Sequence, residues 1–365
     1  VSQPVRSGTY EPVEPERPRD PRVRAMVTSG ALALGLGAAA VLLPAPYVLE
    51  APGPTFNTIG EARSQPLIEI SGRETFDPEG ELDLTTVYVS GGPNGDVSIF
   101  DAFRAWIDPD QTVRPEELVY APGTTRSDIE ERNTVSMISS QESAIAAALG
   151  HLDIPYEESL TVVDLADESA SAGVLEPGDT ITSIDGAPVQ NIDTLRSALT
   201  DAAGAGVDLE VLRAGSAEEV SVTPKQSPEG DYQLGVLLTS EFDFPFDVTI
   251  ALDNVGGPSA GSMFALGIID MLTEGDLTGG RHFAGTGTID SNGAIGKIGG
   301  IQQKLVGAHE SGAEFFLAPA ENCAEVVGHV PDGLKVVKVS TLEEAVNAVE
   351  ELGSGGDGAG LPTCS

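Results

Sequence analysis

A chain of 365 residues is long enough for two domains at roughly 150 residues each, and 40% apolar content allows each a sizeable core. The formal net charge of −38, from 19 basic against 57 acidic residues, excludes nucleic acid as a partner, because neutralising phosphates takes clustered Lys and Arg.

Residues 1–24 are rich in Pro, Arg and Glu and read as a disordered tail. From Ala25 to Leu49 there is no charged residue, and Leu32 to Leu43 is a nearly unbroken apolar run. A helix needs about 20 apolar residues to cross a bilayer, and Pro44 and Pro46 end this one. The expectation is a transmembrane signal anchor over 25–46. Arg17, Arg19, Arg22 and Arg24 precede the run, whereas Glu50 and Glu61 follow it. The positive-inside rule then makes a single-pass cell-membrane protein with a cytoplasmic N-terminus and everything after Leu49 outside. A cleaved signal peptide has a similar layout, but its apolar region is usually shorter and no small-x-small site follows here.

Beyond the anchor, Gly80 to Gly92 alternates and is β-branched, so it reads as a strand. Ile99, Phe103 and Ile107 then fall at helical intervals and predict an amphipathic helix. "SSQESAIAAALGHL" predicts an alanine-rich helix with a serine cap, closed by Gly150. The polar connector Asp108 to Asn133 carries no assignable pattern. A β-rich block of roughly 80 residues follows, with an Asp185-Gly186 hairpin signal and a short helix capped by Asn191 or Asp193. Cys323 and Cys364 form no C-x-x-C and suggest no thiolate metal site. A disulfide between them is possible outside the cytoplasm, but Cys364 falls in a flexible-looking tail, which argues against the pair.

"GGPSAG" follows a strand pattern and precedes a helix pattern, and Gly257 to Gly261 fits the G-x-S-x-G arrangement of a nucleophilic serine. Ser259 would then sit at a helix N-terminus, where backbone N–H groups can hold an oxyanion. Its base is open between two chemistries. His282, His309 and His329 with Asp270, Asp276 or Asp290 would make a Ser–His–Asp hydrolase. Lys304 lies mid-stripe with Ile301, Leu305 and Ala308 on a predicted helix, where burial would lower its pKa and fit it as a base. On periodicity alone, Lys304 could equally extend its ammonium to solvent. Lys297, between glycines, reads as an exposed loop residue.

Two resemblances narrow these alternatives. "SASAGVLEPGDTITSIDGAPV" is similar to the Ala-Gly-Leu-x-x-Gly-Asp run of bacterial PDZ domains, which implies a module binding extended peptides by strand addition. That resemblance puts the groove near Ser159 to Val163, with Leu160, Thr161 and Val162 as peptide-binding residues. The run from about Thr249 to Val349 resembles the proteolytic domain of Lon proteases, which use a serine–lysine dyad. The resemblance implies Ser259 as nucleophile, from Gly-Pro-Ser-Ala-Gly, and Lys304 as base, from "GGIQQK". It implies Thr286 as the residue orienting the lysine, with Gly257 and Ala260 supporting the turn. Two departures stand out: Gly256 where an acidic residue often precedes the motif, and Thr288 in place of a glutamate.

The implied fold is α+β and multidomain: a transmembrane helix, then a Lon-type proteolytic α/β domain with a small PDZ domain inserted. The expected boundaries are 50–158 for the lead-in and first part of the protease domain, 159–238 for the PDZ domain and 239–352 for the catalytic core. A disordered tail over 353–365 would follow. The arrangement resembles the membrane-anchored, PDZ-containing Lon-like proteins of bacteria. It implies an endopeptidase acting on protein or peptide segments, with no cofactor and no metal. It implies no ATP either: "SNGAIGKIGG" lacks the first glycine and the Ser or Thr of a P-loop. A homo-oligomer follows by analogy only. A catalytically silent PDZ adaptor on the same scaffold is the alternative outside enzymes.

Overall fold

The computed structural model describes residues 21–364 except 63, 229, 253 and 254. Most of the expected N-terminal tail therefore lies outside the described residues. The chain divides into two compact units, Val1–Leu49 with Val89–Gly123, and Glu50–Tyr88 with Thr124–Ser365.

In the first unit, helix α1 (Pro21–Leu42) occupies the expected anchor segment. Among the described residues, no helix is long and apolar enough to cross a membrane. Beyond the helix the Ala45 N–H donates to the Val97 carbonyl at 2.7 Å, and Pro44 forms a β-bridge with Ser98. These contacts tie the end of α1 to the start of α2 (Ile99–Ile107). Ser98 and Asp101 form a reciprocal capping box there, which satisfies two orphan N–H groups. The helix is where its spacing predicts, but its orientation is not that of a core helix. It buries Ala102 and Ala105 and leaves Ile99, Phe103 and Ile107 exposed.

The second unit is built on a largely parallel sheet. Its strands run in the order Lys335–Val339, Phe315–Pro319, His282–Gly285, Glu81–Ser90 and Tyr47–Asn57, with parallel pairing along the first four. The period of two separates the faces. Leu82, Leu84, Phe283, Phe315 and Leu317 point to one side, into a core shared with α3 (Arg126–His151), α5 (Gly261–Leu272) and the closing helix Leu342–Gly353. Ala284, Phe316 and Ala318 point to the other, against Ile301, Leu305 and Ala308 of α6 (Ile301–Ser311). This part of the chain is thus a three-layer α/β/α sandwich. Helix α3 starts well before the alanine-rich run. A capping box of Thr125 and Asp128 opens it inside the unassigned connector, at a signal weaker to the eye than the downstream serines.

The inserted module has its own sheet, in the order Ser216–Val222, Val207–Arg213, Thr180–Ile184, Glu157–Leu165 and Val236–Asp243. It also has its own core, closed by Leu195 and Leu199 of α4 (Ile192–Ala202). Asp185 (φ 50°) and Gly186 (φ 77°) make the predicted hairpin turn, and Asn191 rather than Asp193 caps α4 by accepting from the Thr194 N–H at 2.8 Å. The module's entering and leaving strands pair along their length. Tyr156, Phe242 and Phe244 pack together where they meet, with the two phenylalanine rings stacked at 5.5 Å.

The C-terminal segment corrects an expectation. Instead of a disordered tail, Leu361 packs on the main core, the Lys338 N–H donates to the Pro362 carbonyl at 2.8 Å, and Cys364 is disulfide-bonded to Cys323. Composition marked this stretch as polar and glycine-rich, but one leucine and one cysteine suffice to dock it.

Candidate active site

Ser259 is delivered by a short path. The strand Asp247–Ile250 pairs with Ile68–Ser71, the chain turns through "GGPS", and α5 starts two residues past the serine, with Ala260 as its N-cap. The turn is held from α3. Ser140 Oγ donates to the Pro258 carbonyl at 3.0 Å, and the Gly257 N–H donates to the Asn133 carbonyl at 3.2 Å. A Cβ at residue 256 would lie 2.5 Å from Asn133 Cβ. This packing explains why Gly256 stands where an acidic residue is expected. Asp253 and Asn254, further back in the same turn, lie outside the described residues.

Thr286 follows directly on the strand His282–Gly285, and its neighbour Gly287 binds the nucleophile turn. The Gly287 N–H donates to the Ser259 carbonyl (2.9 Å), and the Ser262 N–H donates to the Gly287 carbonyl (3.1 Å). Lys304 comes from α6, whose first turn depends on Gly300. That residue has φ 68°, and a Cβ there would meet Val87 Cγ1 at 2.8 Å, so only glycine brings α6 this close to the sheet.

The three side chains converge. Lys304 Nζ lies 2.9 Å from Ser259 Oγ and 2.8 Å from Thr286 Oγ1, and Thr286 Oγ1 donates to the Ser259 carbonyl at 2.9 Å. Lys304 is only 2% exposed and Thr286 is buried, whereas Ser259 is half-buried. Burial lowers the lysine pKa to about 7, because a low-dielectric site disfavours the ammonium. Of the two readings left open by periodicity, the structure adopts the core-facing lysine.

His282, His329 and Lys297 make their contacts elsewhere, and His309 is exposed near the end of α6. His282 Nε2 is 2.9 Å from Asp83 Oδ2 and 3.3 Å from Glu81, and the Asp83 hydrogen bond raises its pKa. These three are the only group among the described residues spaced to hold a metal ion. Their contacts are those of an ion pair that compensates the buried Asp83. His329 stands at 3.4 Å from Gln302, and Lys297 pairs with Glu325 at 2.6 Å as an exposed loop residue. Sequence reasoning missed Ser140 and Asn133. Each lies more than a hundred residues from Ser259, Ser140 at the head of the run read only as an alanine-rich helix and Asn133 at the end of the unassigned connector.

The three residues expected to bind peptide lie on an inner strand. Leu160, Thr161 and Val162 lie in the strand Glu157–Leu165, which pairs with Val236–Asp243 on one side and Thr180–Ile184 on the other. Leu160 and Val162 are buried in the module core. An inner strand has no free backbone edge to offer an added strand. The strand Val236–Asp243 ends the sheet, and among the described residues its outer edge has no strand partner.

Comparison with known proteins finds two families in the chain, the PDZ match beginning within α3 and ending before the strand Val236–Asp243. Residues 252–351 match the Lon protease (S16) C-terminal proteolytic domain, and residues 134–223 match the PDZ domain family. Lon protease 2 of Bacillus subtilis (strain 168) is 32% identical over 95 residues, which is 26% of this chain and 17% of that protein. The Lon protease of Clostridioides difficile (strain 630) is 35% identical over 95 residues, 26% of this chain and 12% of that one. The chain therefore spans less than a fifth of these curated relatives. The PDZ domain of an SdrC-like protein from Listeria monocytogenes is 22% identical, with a TM-score of 0.21 over 22% of this chain and 86% of that one. A Lon-type proteolytic domain and a PDZ domain are present in this chain, and the first of them is a serine endopeptidase domain whose serine and lysine are in contact.

Proposed function

We propose that the chain is a serine endopeptidase that works without ATP on unfolded or extended protein segments. The observation that carries this reading is the buried Lys304 amine at 2.9 Å from Ser259 Oγ, with its pKa lowered to about 7. In its neutral form the amine accepts the serine proton as Oγ attacks the scissile carbonyl. The resulting ammonium then protonates the departing amine, and the acyl-enzyme is hydrolysed by the same proton path in reverse. Thr286 keeps the amine aimed at Oγ. Backbone N–H groups of the turn into α5 face the developing oxyanion. The PDZ module recruits substrate by strand addition along Val236–Asp243.

Membrane anchoring and an extracytoplasmic site belong to the same proposal. The uncharged run after the arginine cluster supports the first, and the Cys323–Cys364 disulfide, a bond of oxidising compartments, supports the second. Assembly into a homo-oligomer is part of the reading by analogy with Lon-like domains. The test is casein cleavage by the intact chain without nucleotide, compared with Ser259→Ala and Lys304→Ala. Cleavage lost in both, and indifferent to added ATP, is expected. Cleavage kept by both variants would place the activity elsewhere.

A further inference from the structure

Helix α2 carries a feature that proteolysis does not use. At about 100° per residue, Ile99, Phe103 and Trp106 fall on one line, and Phe100 and Ile107 fall beside it. This apolar arc faces outward: Phe100 is 53% exposed, Phe103 57%, Trp106 74% and Ile107 63%. The other side of the helix carries its two buried residues, Ala102 and Ala105. An amphipathic helix ordinarily turns its large residues inward. Here small residues face the protein and the large ones wait for a partner.

The neighbouring helix indicates what that partner is. Helix α1, tied to the start of α2 by the Ala45–Val97 hydrogen bond, carries no charged residue beyond Arg24 and exposes large apolar side chains around its axis. Met26, Val27, Leu32, Leu34 and Leu36 point in different directions and are all more than 60% exposed. A protein partner would cover one face of α1, whereas an apolar solvent meets all of them. Charge agrees. The described part of this unit holds four arginines against six carboxylates, while the whole chain carries −38. It is thus the part of the chain that approaches a lipid surface with least repulsion. Trp and Phe on one side of a short helix suit the interfacial zone of a bilayer.

We propose that α2 is a membrane-docking helix, lying in the lipid–water interface with Ile99, Phe100, Phe103, Trp106 and Ile107 turned to the acyl chains. This goes beyond the anchor of the proposed function, since it assigns a second contact with lipid. Trp106 is the one tryptophan of the chain and so reports on α2 directly. The full chain is reconstituted with phosphatidylcholine vesicles, floated on a density gradient, and its tryptophan emission read with lipids brominated near the headgroup end of the acyl chain. Expected are flotation, strong loss of Trp106 emission to the brominated lipid, and protection from aqueous acrylamide. A Phe103→Ser/Ile107→Ser chain should still float through α1, cleave casein as before, and lose most of the bromolipid quenching. A chain that floats while Trp106 is quenched only by acrylamide overturns this inference and leaves the anchor standing. Protection from both quenchers would mean that protein, such as a second copy, covers the helix, and overturns it as well. A chain that does not float overturns both.

Discussion

Lys304 must be neutral to take a proton, and its burial sets when that happens. Its pKa of about 7 in the fold lies below the ordinary lysine value of 10.5. Peptidase kcat/KM should therefore rise with pH through about 7 and level off above it, with no rising limb near 10. A profile that rises only near 10 would mean that Lys304 is solvated in the working enzyme. The same burial costs stability. Between pH 7 and 10.5 the folded state binds fewer protons than the unfolded one, so stability grows with pH across that window. Lys304→Met should abolish activity and raise stability most at pH 7 and below, by about 1–4 kcal/mol. The gain should shrink toward pH 10.5 in parallel denaturant titrations. In the proposed mechanism Thr286 acts through the lysine, whose Nζ sits 2.8 Å from its hydroxyl. Thr286→Val should lower kcat roughly 10- to 100-fold at nearly constant KM, and Thr286→Ser should restore most of it. Equal losses in Val and Ser would assign the residue to packing instead.

At the scale of elements, the site depends on how closely α6 approaches the sheet. Gly300 holds φ 68° at the helix N-cap and faces Val87. Gly300→Ala adds both left-handed strain and a 2.8 Å contact, which should cost about 1–3 kcal/mol in thermal or denaturant unfolding. The displacement of α6 should lower kcat as well, because Lys304 is four residues along. An unchanged kcat would mean that α6 can shift without carrying the amine with it. Much of this level is legible in the sequence. The α6 stripe, the strand before "GGPSAG" and the Asp185-Gly186 hairpin all follow from periodicity and turn chemistry, which are local. Strand order is not local. Glu157–Leu165 alternates as an edge strand would, yet Val236–Asp243, seventy residues later, takes its outer side. That pairing leaves Leu160, Thr161 and Val162 on an inner strand. Helix α2 teaches the same point from the other direction. Its period was readable, but periodicity cannot say which way an apolar stripe faces.

At the scale of the whole molecule, the last dozen residues are joined to the protease domain by the bond that composition argued against. Cys323 and Cys364 are 41 residues apart in sequence, and the loop they close contains the strand Lys335–Val339 and the helix Leu342–Gly353. Both pack on the main core, so the bond constrains an element that the core needs. By chain entropy, closing a loop of this length is worth roughly 3–4 kcal/mol. Cys364→Ser, or reduction of the intact chain, should therefore lower the melting temperature by several degrees. The Ser259, Thr286 and Lys304 contacts come from the turn before α5, the residue after the strand His282–Gly285, and α6, all on the N-terminal side of the closed loop. Casein cleavage well below the melting temperature should then be the same in oxidised and reduced protein, and the loss should appear only as faster inactivation on heating. Equal melting curves would show that Leu361 and the Pro362 hydrogen bond hold the segment without the disulfide. Cleavage that fell on reduction at low temperature would instead couple the closed loop to the Ser259–Lys304 pair.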